Sequence, residues 1–356
     1  MNVTPQAVAN SSFSPSLGGS LVNIGQGLTV GGLNVLIAVA IVRFPALRSR
    51  KEYLILAAQT FADGCNQLAY LVSGTVRLVS MFTGTSQVRS SSQVTAWQCV
   101  MKPGMLSFIF TDHVAVAMLA IVSLDRLLAV TVPLQYMGWS TRYTYGIAGL
   151  AYGYSLLNGG IGVLLAALDS EPRLRCGMLM IWSSFPFYMK HYFMSLPAIA
   201  LLSVLLYVIA VVLYMGKQNK VAPAVADSQM KQNFKQQQQF MVTVGISSLC
   251  TFLFTVLPWM VPFLVRTPIG FGIFTLNPLA NVLIYPLRQS NIRKGIWSFI
   301  VCKHMPEDLK MWAHMATDRN KASRLCFPWK RAIYFRPNCT PKKLDSLLSA
   351  ITTSVQ

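Results

Sequence analysis

The strongest constraint on this chain is a series of apolar runs, each close to the ~20 residues that a helix needs to cross a bilayer. They fall at about 22–43, 54–76, 101–129, 143–167, 191–215, 240–264 and 268–286. A backbone in lipid must satisfy its own N–H and C=O groups, so isolated runs of this length fold as helices. Composition agrees: 53% of residues are hydrophobic, 12% are charged and the mean hydropathy is +0.48. A soluble domain carries about 25% charged residues. The expected fold is an all-α membrane protein, a seven-transmembrane helix bundle with its termini on opposite sides.

Lys and Arg orient the bundle, because cytoplasmic loops carry the excess of positive charge. With the N-terminus outside, 23 basic residues fall inside and seven outside. The domains that follow are an extracellular tail (1–21), the seven-helix region (22–286) and a cytoplasmic amphipathic helix with a basic tail (287–356). Ser290–Phe299 forms that helix, which is expected to lie on the membrane surface. The net charge of +19 sits in the gaps between apolar runs rather than on one stripe. It fits an anionic inner leaflet and argues against nucleic acid.

The tail carries no charged residue between Met1 and Ser20 and lacks the basic start and cleavage pattern of a signal peptide. Its sequons at Asn2 and Asn10 are glycosylation candidates if this end is outside. Of the seven cysteines, only Cys99 and Cys176 fall outside, where a disulfide between them would pin the second outer loop across the mouth of the bundle. Cys302 follows the amphipathic helix and is either a palmitoylation site or an ordinary juxtamembrane thiol.

The span at 101–129 holds charge in its middle and ends on Asp125-Arg126. Ionisable residues inside a span are costly and usually functional. Arg126 is either a switch that pairs with Asp125 and later turns to a cytosolic partner, or a snorkelling anchor. Asp112 lies 14 residues earlier, about 21 Å up the helix and about 40° from four full turns. It therefore shares the inward face with Arg126, at the outer half. It can hold the cationic group of a ligand, or pair with His113 or a neighbouring helix. Asn34, Asp63, Asn277 and Asn281 are further polar groups within apolar spans.

These features together resemble the rhodopsin-like (class A) G-protein-coupled receptors over roughly residues 20–300. Asn34 in Gly32-Leu33-Asn34-Val35 and Asp63 in Phe61-Ala62-Asp63 match the family's first two polar positions. Asp125-Arg126-Leu127 resembles its Asp-Arg-Tyr motif, with Leu127 in place of Tyr, and Val132-Pro133-Leu134-Gln135-Tyr136 its inner-loop proline. Phe252 and Pro258 match the helix-six spacing. Asn277 to Tyr285 resembles the Asn-Pro-x-x-Tyr region. Departures are present: Val256 replaces the helix-six Trp, Val282 replaces the helix-seven Pro, and Pro278 lies one turn earlier. With Leu124 to Val130 intact, the loosened pattern resembles the nematode serpentine chemoreceptors of the Srsx class.

The resemblance implies a plasma-membrane receptor that binds an extracellular ligand, a chemosensory small molecule or a peptide, and activates a heterotrimeric G protein. It assigns the coupling switch to Asp125, Arg126, Leu127 and Tyr285, and a helix-six switch to Phe252 and Pro258. The candidate pocket is Phe108, Asp112, His113, Trp259, Met260 and Phe263. Around Asp63 it implies a sodium and water site with Asn34, Asn277 and Asn281, although Ala115 stands where a helix-three Ser or Asn often flanks the ion. The alternative for that set is plain interhelical adhesion. No other cofactor or metal is expected. A transporter or channel using Asp63, Asp112 and His113 as an ion relay is the alternative function, disfavoured by the missing repeat. An enzyme is not expected: His113, His191, His304 and His314 lack metal-site spacing, and no phosphate loop or nucleophile elbow occurs.

Overall fold

A computed structural model of the chain describes residues 17–83, 93–172, 181, 183–221, 228–260 and 268–301. Side chains at 134, 137, 217–237, 239–240, 259–260 and 268–275 lie outside that description. The described residues are helical, with no β-strand among them. Helix α1 spans Leu17–Arg43 and passes through a π segment at Gly27–Gly31. Then follow α2 (Lys51–Phe82), α3 (Pro103–Thr131), α4 (Thr141–Leu168) and α5 (Pro186–Val221). Helix α6 runs through Ser228–Thr251, a π segment at Phe252–Val256 and Leu257–Met260. Helices α7 (Pro268–Arg288) and α8 (Ser290–Ile300) complete the series.

Among the described residues, four helices are long and apolar enough to cross a membrane: Leu17–Arg43, Pro103–Thr131, Thr141–Leu168 and the Pro186–Gly216 part of α5. Helix α2 is long enough but is interrupted by Gln59, Asp63, Gln67 and Arg77. The apolar stretch of α6 is shorter, Met241–Val256.

Burial is inverted relative to a soluble protein. Leu150 and Leu168 on α4 are 70% and 69% exposed, while Asn34, Asp63, Asp125, Arg126 and Asn281 are each at most 2% exposed. In water, such an apolar exterior would aggregate and such a polar interior would have no driving force for burial. In lipid the same arrangement shields polar side chains from hydrocarbon.

Helix α3 is the central post and packs against α2, α4 and α5. Helix α1 packs on α2, and α6 packs on α7. The α1–α2 contact is tight because glycines line it. A Cβ built on Gly27 would lie 2.5 Å from the Leu71 amide nitrogen and 2.7 Å from the Gln67 carbonyl oxygen. Small residues let membrane helices approach this closely. Gln26 Nε2 donates to Gln67 Oε1 across the same seam at 2.8 Å. Helix α8 turns away from α7 at Gln289, whose backbone is extended. Gly295 then sits against Leu47 and Phe44.

This packing carries a direct test. Gly27→Ala forces two backbones apart and should destabilise the purified protein by about 1–3 kcal/mol. Gly32→Ala should melt like wild type, because a Cβ there meets nothing within 4 Å. Equal melting midpoints for both variants would contradict the described seam.

Candidate functional site

Local sequence explains how the Arg126 end is built. Pro133 disfavours helical backbone at Val132, which takes φ −125° and ψ 59° and ends α3 at Thr131. Pro133 then opens the short helix Pro133–Gly138, and this reversal swings Tyr136 back beneath α3. The Arg126 guanidinium pairs with the neighbouring Asp125 carboxylate, and both side chains are at most 3% exposed. Neighbouring helical residues do not face one another, so the pairing bends the guanidinium sideways around the helix.

Tyr136 closes the cluster. Its hydroxyl lies 3.0 and 3.1 Å from the two Asp125 oxygens, to which it donates, and accepts from Arg126 at 3.2 Å. Lys51, on the first turn of α2, donates to the Tyr136 carbonyl and sits 3.6 Å from the centre of its ring. Burial pushes the Lys51 ammonium below the usual lysine range and the Tyr136 hydroxyl above the usual tyrosine range. Trp139 and Tyr143 pack around Tyr136 at ring distances of 5.7 and 6.3 Å. Leu127 packs into the adjoining apolar cluster that also holds Tyr285. In sequence, Tyr136 falls just after the inner-loop proline and Lys51 just before the apolar run at 54–76. Their partnership spans 85 positions and has no local signature.

A second polar group ties α2, α6 and α7. Asp63 Oδ1 accepts from Gln59 Nε2 at 3.0 Å and Oδ2 accepts from Asn281 Nδ2 at 3.2 Å. Ser247 donates to Asn281 Oδ1 at 2.6 Å and lies 3.4 Å from the Tyr285 hydroxyl. Thr251 donates to Asn277 Oδ1 at 3.1 Å. Asn34 does not join this group by hydrogen bond: its amide donates to Val30 O of its own helix at 3.1 Å. Asn34 Oδ1 and Gln59 Oε1 are buried without a hydrogen-bond partner. Two free carbonyl oxygens and a carboxylate are the hard oxygen donors that suit a sodium ion. Ala115, buried on α3, offers no side-chain donor. Ser247, Thr251 and Gln59 are the members that motif reading missed, although a hydroxyl every fourth residue of an apolar helix was a visible signal.

A third group lies higher on α3. Asp112 Oδ2 accepts from the Tyr192 hydroxyl of α5 at 3.4 Å. His113 turns to the same helix, with Nε2 at 3.0 Å from Ser195 Oγ and its ring edge-on to Tyr192 at 4.5 Å. The two residues therefore partner α5 rather than each other. Phe108 packs edge-to-face on Tyr70 of α2 at 4.7 Å.

On α6, half-buried Phe252 begins the π segment and buried Pro258 follows it. Pro258 has no N–H for the carbonyl one turn back, so the widened ladder lies where the normal bond is lost. Trp259 and Met260 are helical, with side chains outside the description. Cys99 is buried. Phe263, Cys176, Cys302, Asn2 and Asn10 lie outside the described residues.

The fold and these buried polar groups define a multi-pass helical membrane protein. The chain belongs to the serpentine type 7TM GPCR chemoreceptor Srsx family, whose model matches residues 28–274. That family is one of chemoreceptors rather than enzymes. No curated protein matches the chain.

Removal of Asn281 should leave Asp63 Oδ2 without its donor and Ser247 without its closest acceptor. Asn281→Ala is expected to lower stability by about 1–3 kcal/mol, measured by thermal melting in detergent. Asn34→Ala, which breaks one bond within a helix, should cost clearly less. The reverse order would refute the described network.

Proposed function

We propose that the chain is a plasma-membrane chemosensory receptor that binds an extracellular ligand in the Asp112 half of the bundle and activates a heterotrimeric G protein at the Arg126 end. In this reading there are seven spans, with the N-terminus outside, α8 on the cytoplasmic surface and the basic tail inside. Asn2 and Asn10 carry the glycans, Cys99 and Cys176 form the outer disulfide, and Cys302 anchors the tail by palmitoylation. Trp259, Met260 and Phe263 are the residues of the sixth apolar run that this reading assigns to ligand contact.

The supporting observation is the closed cluster around Arg126. A buried guanidinium held by Asp125 and Tyr136 is one of two discrete arrangements. Release of Arg126 toward a cytosolic partner is the other, and ligand shifts the balance by binding the open bundle better. The bulged α6 between Thr251 and Pro258 is the element that swings to admit the partner. Asp63, with Gln59 and the free Asn34 oxygen, holds a sodium ion in the closed form. The ion supplies a counter-charge that Asn281 and Gln59 amides lack. An ion relay is less well supported: among the described residues no hydrogen bond links Asp63 to Asp112 or His113.

Tyr136→Phe removes the hydroxyl that bridges the pair, a loss of about 1–1.5 kcal/mol, which is roughly 5- to 12-fold in the closed-to-open ratio. Ligand-independent signalling in a cAMP or calcium reporter should rise, and Lys51→Ala should raise it less. Arg126→Ala should abolish coupling while surface expression persists. A surface-expressed Arg126→Ala receptor that signals like wild type would sink the proposal.

A further inference from the structure

Helix α6 has no carboxylate with which to hold Arg126. No Asp or Glu occurs between Ser228 and Met260, so closure at its inner end depends on neutral contacts. One of them comes from the corner between α7 and α8. Gln289 Nε2 donates to Thr243 Oγ1 at 3.2 Å, across 46 positions, with Gln289 7% and Thr243 1% exposed. Thr243 lies nine residues before Phe252, where the π segment begins, about 14 Å along the helix. A bond that far from the bulge acts near the moving end of α6.

Local chemistry explains why Gln289 reaches sideways. It precedes α8 with extended backbone (φ −107°, ψ 94°) and makes no side-chain cap there. Its side chain is longer than the Ser, Thr, Asp and Asn that cap helices, and its amide is directed to α6 instead. Its backbone is tied on both sides: its N–H donates to the Tyr285 carbonyl at 2.9 Å, and its carbonyl accepts from the Arg293 N–H at 3.1 Å. The corner is in turn set by the seat of α8. Ile292 is fully buried in the apolar cluster that holds Leu47, Tyr53, Met241 and Val244. Asn291 Nδ2 donates to the Tyr53 hydroxyl at 3.4 Å. A Cβ on Gly295 would lie 3.0 Å from Leu47 Cδ1, so a bulky residue there strains the seat.

From this geometry we infer that the Gln289–Thr243 hydrogen bond is a latch by which the seating of α8 at the α1–α2 turn holds the inner end of α6 closed. With α8 seated, the Gln289 amide is aimed at Thr243. Outward movement of α6 breaks the bond and takes away the acceptor of a buried amide, a cost that favours the closed form. Lifting α8 withdraws the amide and frees α6 while Asp125, Arg126 and Tyr136 stay as they are. The latch rests on the reading of α6 as the moving element and adds to it a control from α8.

The test reads how often Val244, 3% exposed on α6, becomes accessible. Val244→Cys is introduced into the full-length receptor, purified in detergent, and its modification by N-ethylmaleimide is timed by peptide mass spectrometry. Gln289→Leu and Thr243→Val should each speed modification about 2- to 12-fold, the equivalent of one hydrogen bond, and together no more than either alone. Thr243→Ser, which keeps the hydroxyl, should react at the wild-type rate. Gly295→Leu should speed modification by itself and add nothing in the Gln289→Leu background. Val122→Cys, at a position 6% exposed on α3, is the control whose rate should stay constant throughout. Unchanged rates at Val244→Cys, additive effects of the two latch variants, or an equal acceleration at Val122→Cys would overturn the latch. The Thr243→Val and Thr243→Ser pair carries the test if Gln289→Leu does not fold. No G protein is present, so failure here leaves the coupling reading intact. An Arg126→Ala receptor that still signals would overturn coupling without touching the latch.

Discussion

A guanidinium inside a membrane bundle is tolerable only while its charge is matched, and the pairing of Arg126 with Asp125 supplies that match. Both groups have given up hydration, so the pair contributes little net stability but is expensive to split. In the proposed receptor, that asymmetry suits a switch element better than a strut. A third group that binds both members holds it shut, and Tyr136 does so by donating to one and accepting from the other. The proline reversal at Val132–Pro133 and the Lys51 contact on the Tyr136 ring exist, in physical terms, to place one phenol. The central position of α3 follows as well, since a helix carrying this pair must be covered on several sides.

The same accounting orders the other buried acids. Where compensation is complete, as at Asp125, the site is closed. Where it is made of neutral amides, as at Asp63, spare oxygens remain on Asn34 and Gln59. At Asp112 it is a single long hydroxyl contact, from Tyr192 at 3.4 Å. Compensation of the buried acids along α2 and α3 therefore falls into three degrees.

Much of this was legible in one dimension because lipid imposes a strict length rule on helices. The run at 54–76 lies inside α2, and the run at 101–129 coincides with most of α3. Helices outrun their apolar runs because backbone hydrogen bonding does not stop at the lipid boundary, as the Lys51 turn of α2 and the far end of α5 show. Side-chain partnership was the harder part. Asn34 stood beside Asp63 by motif, yet its rotamer satisfied the Val30 carbonyl of its own turn instead. Asp112 and His113 are adjacent in sequence but, about 100° apart on a helix, reach α5 separately. Tyr136 and Lys51 meet through a chain reversal, which periodicity cannot express. The α1–α2 seam had a readable Gly27–Gly31 spacing, but the close approach became meaningful only once Leu71 was known to lie opposite.

The hydrogen bonds around α6 show what any opening at the Arg126 end must overcome. Ser247 and Thr251 hold α6 to α7, and Tyr207 of α5 donates to the Met241 carbonyl at the near end. A Cβ on Gly245 would lie 2.6 Å from the Tyr207 oxygen, so a larger residue there would have to displace that hydroxyl. Below the π segment, then, α6 is fastened on two sides by single hydrogen bonds, each worth about 0.5–1.5 kcal/mol net. Above it, the ladder is already widened at the residues before Pro258. An outward swing costs least if it pivots at that bulge, exchanging a few weak bonds for a partner's contacts, while the dry packing of α3 against α2, α4 and α5 stays intact. In the proposed activation, bistability would therefore rest with α6 and the Arg126 cluster, and the packing around α3 would be the fixed frame.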